Sequence, residues 1–265
     1  YNKNLLFIYN FYIFLKILIF FRKRLNLNSE INYEIIGEKH FQSFSGYYDL
    51  NPISKCENYL LFHKLRKNEK IIDICVYDLK NKKQSVIFKT AAWSWQLGSR
   101  LQWYGDNNEI ILNYVEENCL KSIILNINGQ IKKKIRYPIF SLNKNNNINL
   151  FLNFKSLYKQ RPGYGYNFDI VNYEKNIFLA AYDLKNDQII FEITLNRLLK
   201  NLNLDIKNEN YYFNHLSWNK NGSSFLVYLV STSPRISKLI YFKNFMNYKI
   251  INDINLISHH VWIDN

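Results

Sequence analysis

His-x-x-Trp occurs twice in this chain, as HLSW at 215–218 and as HHVW at 259–262. Aligning Trp218 and Trp262 with Trp103 and Pro52, which open two related stretches, puts Arg100 and Asp49 at the histidine position. Asp49, Arg100, His215 and His259 are thus one recurring position filled by four chemically able side chains. Imidazole and carboxylate suit manganese, zinc and similar ions. His215 and His259 are therefore candidate ligands for a divalent metal, and Arg100 can meet a sugar carboxylate through two parallel hydrogen bonds. Two imidazoles do not complete a coordination shell, and the same side chains could equally brace neighbouring loops.

Two further stretches carry binding chemistry. AAWSWQLGSRLQW (91–103) puts Trp93, Trp95, Gln96 and Arg100 in one loop, a set suited to stacking on sugar rings and bonding their hydroxyls. RPGYGY (161–166) offers Arg161, Tyr164 and Tyr166 on a glycine turn where the backbone can come close to a ligand. Packed tryptophans between structural units and an ordinary Pro-Gly turn are the alternatives.

The elements that must position these residues are legible as repeats. YDLKN occurs at 77–81 and at 182–186, each time between two apolar β-rich runs, which predicts a hairpin. SIILNINGQIKKKIRYP (122–138), with Asn-Gly at its turn, and KLIYFKNFMNYKIIND (238–253) have the same shape. Ahead of the hairpins, QWYGDNNEIILNYV (102–115) and SWNKNGSSFLVYLV (217–230) align without a gap, NPISKCENYLLFH (51–63) shares their register, and SLNKNNNINLFLNF (141–154) is a looser copy. Together these give four-stranded modules of about forty to fifty residues, the size of a β-propeller blade. The expected fold is all-β: blades over about 46–90, 91–138, 139–200 and 211–254, a fifth opening over 256–265, and an insertion near 155–176 in the third. In such a ring the recurring position lies at the start of each innermost strand, at the mouth of the central channel.

Residues 31–265 are thus read as the propeller and 1–30 as a separate element. Residues 5–21, LLFIYNFYIFLKILIFF, are apolar apart from a narrow stripe of Tyr9, Tyr12 and Lys16 that continues to Lys23. That pattern predicts an apolar helix anchored at a membrane surface or spanning it. The basic cluster Arg22, Lys23 and Arg24 favours a cytoplasmic side for the C-terminal part of the chain. A helix buried against the domain is the other reading. The chain opens on Tyr1, has its one methionine at Met246, and breaks off just after Trp262, so the sequence is expected to continue beyond both ends.

Composition narrows the classes. With 48% hydrophobic residues the chain can fill a core, and the net charge of +14 favours acidic partners. An Asn-, Ile- and Lys-rich coding bias also raises that charge, and no nucleic-acid-binding motif accompanies the short basic runs, so nucleic acid is disfavoured. Three widely spaced cysteines, Cys56, Cys75 and Cys119, indicate neither a disulfide framework nor a zinc site.

GYYDLNPIS (46–54), WSWQLGSRLQW (93–103), RPGYGY, NHLSWNKNG (214–222) and SHHVWIDN (258–265) make the chain similar to bacterial TolB-like or oligogalacturonate-lyase-like β-propellers. More closely, it resembles an uncharacterised branch of them associated with surface-polysaccharide genes. The resemblance implies a channel-mouth metal, manganese or similar, held by His and Gln, to which His215 and His259 would correspond. The expected function is a carbohydrate-binding, non-catalytic propeller that takes an acidic oligosaccharide or polysaccharide at a membrane. A metal-dependent polysaccharide lyase and a protein-interaction scaffold are the alternatives.

Overall fold

The structure is a computed structural model, and it describes residues 34–105, 108–143, 145, 147–170, 177–205, 210–251, 257 and 259–263. The apolar helix and membrane anchor expected over 1–30 lie outside the described residues. Among those described, no helix is long and apolar enough to cross a membrane.

Residues 37–265 form one compact unit. It is all-β, built of four antiparallel sheets, each with its four strands hydrogen-bonded in chain order. The first sheet holds β1 (Phe41–Phe44), β2 (Tyr59–Arg66), β3 (Ile72–Asp78) and β4 (Lys83–Thr90). The second holds β5 (Gln102–Tyr104), β6 (Glu109–Glu116), β7 (Cys119–Leu125) and β8 (Ile131–Ile135). The third holds β9 (Ser141–Asn143), β10 (Ile148–Leu152), β11 (Ile177–Asp183) and β12 (Gln188–Thr194). The fourth holds β13 (Tyr211–Trp218), β14 (Phe225–Thr232), β15 (Arg235–Phe242) and β16 (Tyr248–Ile250). Among the described residues two short helices, α1 (Phe154–Gln160) and α2 (Leu195–Asn201), interrupt the β succession. These are the blades of a β-propeller.

The central strands bury both faces, which explains why they read as continuous apolar runs rather than alternating ones. Ile110, Leu112 and Tyr114 of β6 pack with Leu61, Ile74 and Val76 of the first sheet. Ile111, which the pleat turns to the other side, packs with Phe151, Ala180 and Tyr182 of the third. Leu150, Leu152 and Leu179 then meet Phe213, Phe225 and Val227 of the fourth. The far face of the fourth sheet, Leu226, Tyr228 and Leu239, is met by Ile257 and Trp262.

The YDLKN repeats are one turn built twice. Asp78 accepts from the backbone N–H of Lys80 and Asn81 and from the Asn81 amide. Asp183 does the same with Lys185 and Asn186. The residue after each motif, Lys82 or Asp187, takes a left-handed φ of 52° or 58°. Bonds from the backbone N–H groups of Asn81 and Asn186 lead in holding both carboxyls below the usual range.

The repeated tryptophans tie each blade to the one before. Trp103 donates its indole N–H to the Pro52 carbonyl at 2.9 Å, Trp218 to the Ser141 carbonyl at 3.2 Å, and Trp262 to Ser217 Oγ at 3.0 Å. Trp262 therefore sits against the fourth sheet as Trp218 sits against the third. The register corrects two details of the sequence reading. Trp103 faces Ile110, Leu142 faces Asn149 and Trp218 faces Phe225, while in the first sheet Ile53 faces Leu60. Ile53 rather than Pro52 is thus the counterpart of the tryptophans. The turn that follows is the one the fourth sheet makes: the Ser54 N–H donates to the Tyr59 carbonyl and Ser54 Oγ accepts from the Tyr59 N–H, as the Asn219 N–H donates to the Ser224 carbonyl and Asn219 Oδ1 accepts from the Ser224 N–H. The first sheet also begins at Phe41, ahead of residue 46, because β1 pairs with the far end of β2.

Candidate functional site

In a four-stranded meander, the loops between blades and those joining the second strand to the third share one face, here called upper. The other turns share the lower face. The 91–101 linker and the β10–β11 insertion accordingly meet on the upper face. Ser94 Oγ donates to the Tyr164 carbonyl at 3.0 Å and the Gln96 N–H to the Gly163 carbonyl at 3.2 Å. Tyr166 is buried, stacked on Phe154 with ring centroids 4.5 Å apart, and its hydroxyl donates to the Gly98 carbonyl at 2.7 Å. Tyr166 thus fastens the two loops together. Trp93 donates to the Lys70 carbonyl, and its ring packs edge-on to the exposed Trp95. Gln96 and Arg161 are exposed, and Arg161 lies over the Tyr164 ring at 5.3 Å.

The innermost strands break where the recurring position falls. Arg100 and His215 have left-handed φ values of 56° and 48°, and the β13–β14 register slips between Asn214 and Ser217. A bulge of this kind re-aims a side chain out of the ladder. In the first blade the break is wider: Phe44 pairs with His63 and Ile53 with Leu60, and residues 45–51 leave the ladder between them. His63 holds the root of this excursion. The Ser99 N–H donates to its Nε2 at 3.1 Å, so its proton sits on Nδ1, 3.2 Å from the Phe44 carbonyl. Burial pushes the His63 imidazole down to about 4.

The excursion carries Tyr47, Tyr48 and Asp49 to the axis. Tyr47 lies between the other blades, its ring centroid 5.9 Å from Tyr164, 5.4 Å from His215 and 6.2 Å from His259. Its hydroxyl is 2.9 Å from His259 Nε2, and the Tyr48 hydroxyl donates to the His260 carbonyl. His215 and His259 face each other at 5.2 Å. Burial, reinforced by His259 and His260, pushes His215 down to about 3, so it is neutral at pH 7. Burial raises the Tyr47 phenol. The cluster is an aromatic plug around the neutral His215.

Beneath the plug, Arg100 is fully buried. Its guanidinium donates to both Asp49 oxygens, at 3.0 and 2.8 Å, and through Nε to the Phe140 carbonyl at 2.8 Å. That carbonyl is placed by two buried asparagines. Asn113 bonds both the N–H and the carbonyl of Ile139, and Asn149 bonds the Pro138 carbonyl and the Phe140 N–H. The pair lines a cavity of about 810 Å³ between the innermost strands. All four described blades line it: Asp49 and Asn51 from the first, Gln102 and Trp103 from the second, Ser141 and Asn143 from the third, Ser217 and Trp218 from the fourth. Lys55 and Lys220 also contribute.

The structure gathers Asp49, Arg100, His215 and His259 around one axis, although the strand register places Asp49 four residues before Ile53 and so one position off the other three. It divides them, with Asp49 and Arg100 facing the cavity and the histidines in the plug. Trp93, Trp95, Gln96 and Arg161 stay on the upper rim, whereas Tyr164 packs edge-on to Tyr47 and His215. Among the described residues no group of three or more His, Cys, Asp or Glu is placed to hold a metal ion. The Asp49 carboxylate is committed to Arg100, so the described residues do not complete a metal centre. Sequence reading missed Tyr47, Tyr48 and the cavity wall of Asn51, Gln102 and Asn143. The available signal was GYYD itself, an aromatic pair between a glycine and the aligned aspartate.

No protein-family model matches the sequence, and no curated protein matches it. Among solved structures, TolB from Acinetobacter baumannii is similar with a TM-score of 0.42 at 9% identity, over 79% of this chain and 43% of that one. An oligogalacturonate lyase solved in complex with manganese has a TM-score of 0.40 at 9% identity, over 83% and 68%. The β-propeller domain of the Trilobed protease from Pyrococcus furiosus has a TM-score of 0.36 at 12% identity, over 75% and 67%. The chain spans less than half the length of TolB.

Proposed function

We propose that this propeller binds carbohydrate in its central cavity, without catalysing a reaction there, and that its ligand is an acidic oligosaccharide. The observation that carries this reading is the chemistry of the cavity wall. A pocket of about 810 Å³ falls within the size range of small-ligand sites. Its floor is a carboxylate fixed by Arg100, whose remaining lone pairs can accept from sugar hydroxyls. Amide and hydroxyl groups of Asn51, Gln102, Ser141 and Ser217 stand around it, and Trp103 and Trp218 supply ring edges. Lys55 and Lys220 bias the cavity towards anionic sugars. The exposed Trp95, Gln96 and Arg161 on the upper rim would serve as a second, shallower contact for a long polysaccharide.

Binding of a panel of acidic and neutral oligosaccharides, measured by isothermal titration on the whole chain, tests the reading. Acidic members should bind, and Asp49→Asn should weaken them by roughly ten- to a hundredfold, the worth of a hydrogen bond to a charged group. A flat response across the panel would refute it. A metal-dependent lyase reading draws on His215 and His259 alone, and no reaction step is assigned to them. Residence at a membrane surface rests on the sequence of residues 5–21.

A further inference from the structure

We infer that the upper rim of the propeller docks on an anionic lipid surface, with Trp95 and Ile71 entering the interface and the cations around them meeting lipid phosphates. This goes beyond the carbohydrate reading and needs neither the cavity nor residues 5–21. The rim is linked by contacts from the first described blade to the fourth. In the first, the β2–β3 turn carries Lys67, Lys70 and Ile71, all exposed. The Trp93 indole donates to the Lys70 carbonyl at 2.8 Å and packs edge-on to Trp95, with ring centroids 5.1 Å apart. Next to Trp95, the Gln96 N–H donates to the Gly163 carbonyl of the third blade's insertion, which also carries Lys159 and Arg161. That insertion reaches the fourth blade, where Thr232 Oγ1 donates to Gln160 Oε1 at 3.2 Å and Thr232 pairs with Arg235 across the β14–β15 turn. Burial raises the Tyr212 phenol and both Arg161 and Arg235 counter it, so the two guanidinium groups lie near one side chain.

Charge and apolar exposure together fit lipid. Lys67, Lys70, Lys159, Arg161 and Arg235 are exposed, and none of the five is in an ion pair with a described residue. The carboxylates of this face already have cations: Glu69 faces Arg66 at 3.8 Å, Asp73 holds Lys89, Glu116 holds Lys121 and Lys134, and Asp169 holds Lys155. Glu117 acts on Lys121. Trp95 and Ile71 each keep 52% of their surface exposed among the five cations. Indole and aliphatic side chains set among Lys and Arg are what a membrane interface takes up. A polysaccharide would use the indole and the cations but leave Ile71 in water, whereas a lipid surface buries it as well.

Flotation of the whole chain with phosphatidylcholine vesicles, with and without phosphatidylserine, tests this. Affinity should rise with phosphatidylserine and fall roughly a hundredfold in the triple variant Lys70→Gln, Arg161→Gln, Arg235→Gln, at about fivefold for each cation near an anionic leaflet. A control triple, Lys80→Gln, Lys185→Gln, Lys243→Gln, removes the same charge from the lower turns and should bind as the parent does. Equal losses in the two triples would overturn the assignment, because binding would then follow net charge and not the rim. Residues 5–21 carry an apolar run of their own, so contact of the rim is read separately by fluorescence. Brominated lipid should quench the parent more than Trp95→Phe, and identical quenching of the two would overturn lipid docking even if the rim triple failed to fold. Soluble polygalacturonate that binds the parent, loses affinity in the rim triple and leaves vesicles without effect on Trp95 would assign the rim to polysaccharide and overturn lipid docking.

Discussion

Replacing Arg100 with methionine removes the two-bonded partner of Asp49 while keeping an unbranched side chain. The loss can be worked from the contacts. Both bonds to Asp49 disappear, the Phe140 carbonyl loses its guanidinium donors, and the stacking of the guanidinium on the Phe140 ring at 4.3 Å is lost. Removing one partner of a buried, hydrogen-bonded ion pair costs about 3–5 kcal/mol. The Asp49 side chain keeps 24% of its surface exposed and can recruit water, which places this case near the lower bound. About 3 kcal/mol at roughly 2–4 °C per kcal/mol gives a fall of about 6–12 °C in Tm. Thermal unfolding followed by circular dichroism at pH 7 reads it, and repetition at high salt should leave the difference nearly unchanged, since a buried pair is little screened. In a double-mutant cycle with Asp49→Asn, the two losses should fall short of additivity by more than about 1 kcal/mol. An Arg100→Met variant within about 1 kcal/mol of the parent would refute the assignment of Arg100 as the buried partner of Asp49.

Three further outcomes rest on the same contacts. His63 and His215 are held neutral in the fold, at about 4 and about 3, against about 6.5 when unfolded. The unfolded chain therefore binds more protons below pH 6.5, and stability should fall from pH 6.5 down to about 4; urea midpoints constant across that interval would contradict it. Gly98→Ala should cost about 1–3 kcal/mol, because the new Cβ meets the His63 ring, which is pinned on both nitrogens, and Gly98 has a φ of +57°. Trp218→Phe should lose about 1 kcal/mol with the indole bond to Ser141, and Trp103→Phe a similar amount with its bond to Pro52. If thermal unfolding shows neither loss, these tryptophans do not tie successive blades together.

The repeating unit is legible in the chain alone. Hairpin turns are local: Asp78 and Asp183 bond their own neighbours, so identical pentapeptides build identical turns wherever they fall. Strands apolar on both faces require a partner sheet on each side, and a four-stranded period follows from that. The position three before the blade-opening tryptophans was legible as well, and at Arg100 and His215 the backbone there takes the same left-handed φ. What the residue order could not decide was the depth of each member of that set. Asp49 and Arg100 pair across 51 residues and His215 and Tyr47 stack across blades, contacts that exist only once the sheets surround an axis. The same holds for Tyr166. In RPGYGY it reads as a ligand contact, whereas the docking of one loop on another buries its ring and spends its hydroxyl on the Gly98 carbonyl. Spacing along a chain says which side chains share a face. Whether they meet a ligand or one another is settled by packing between blades, because that packing sets which of them loses its water.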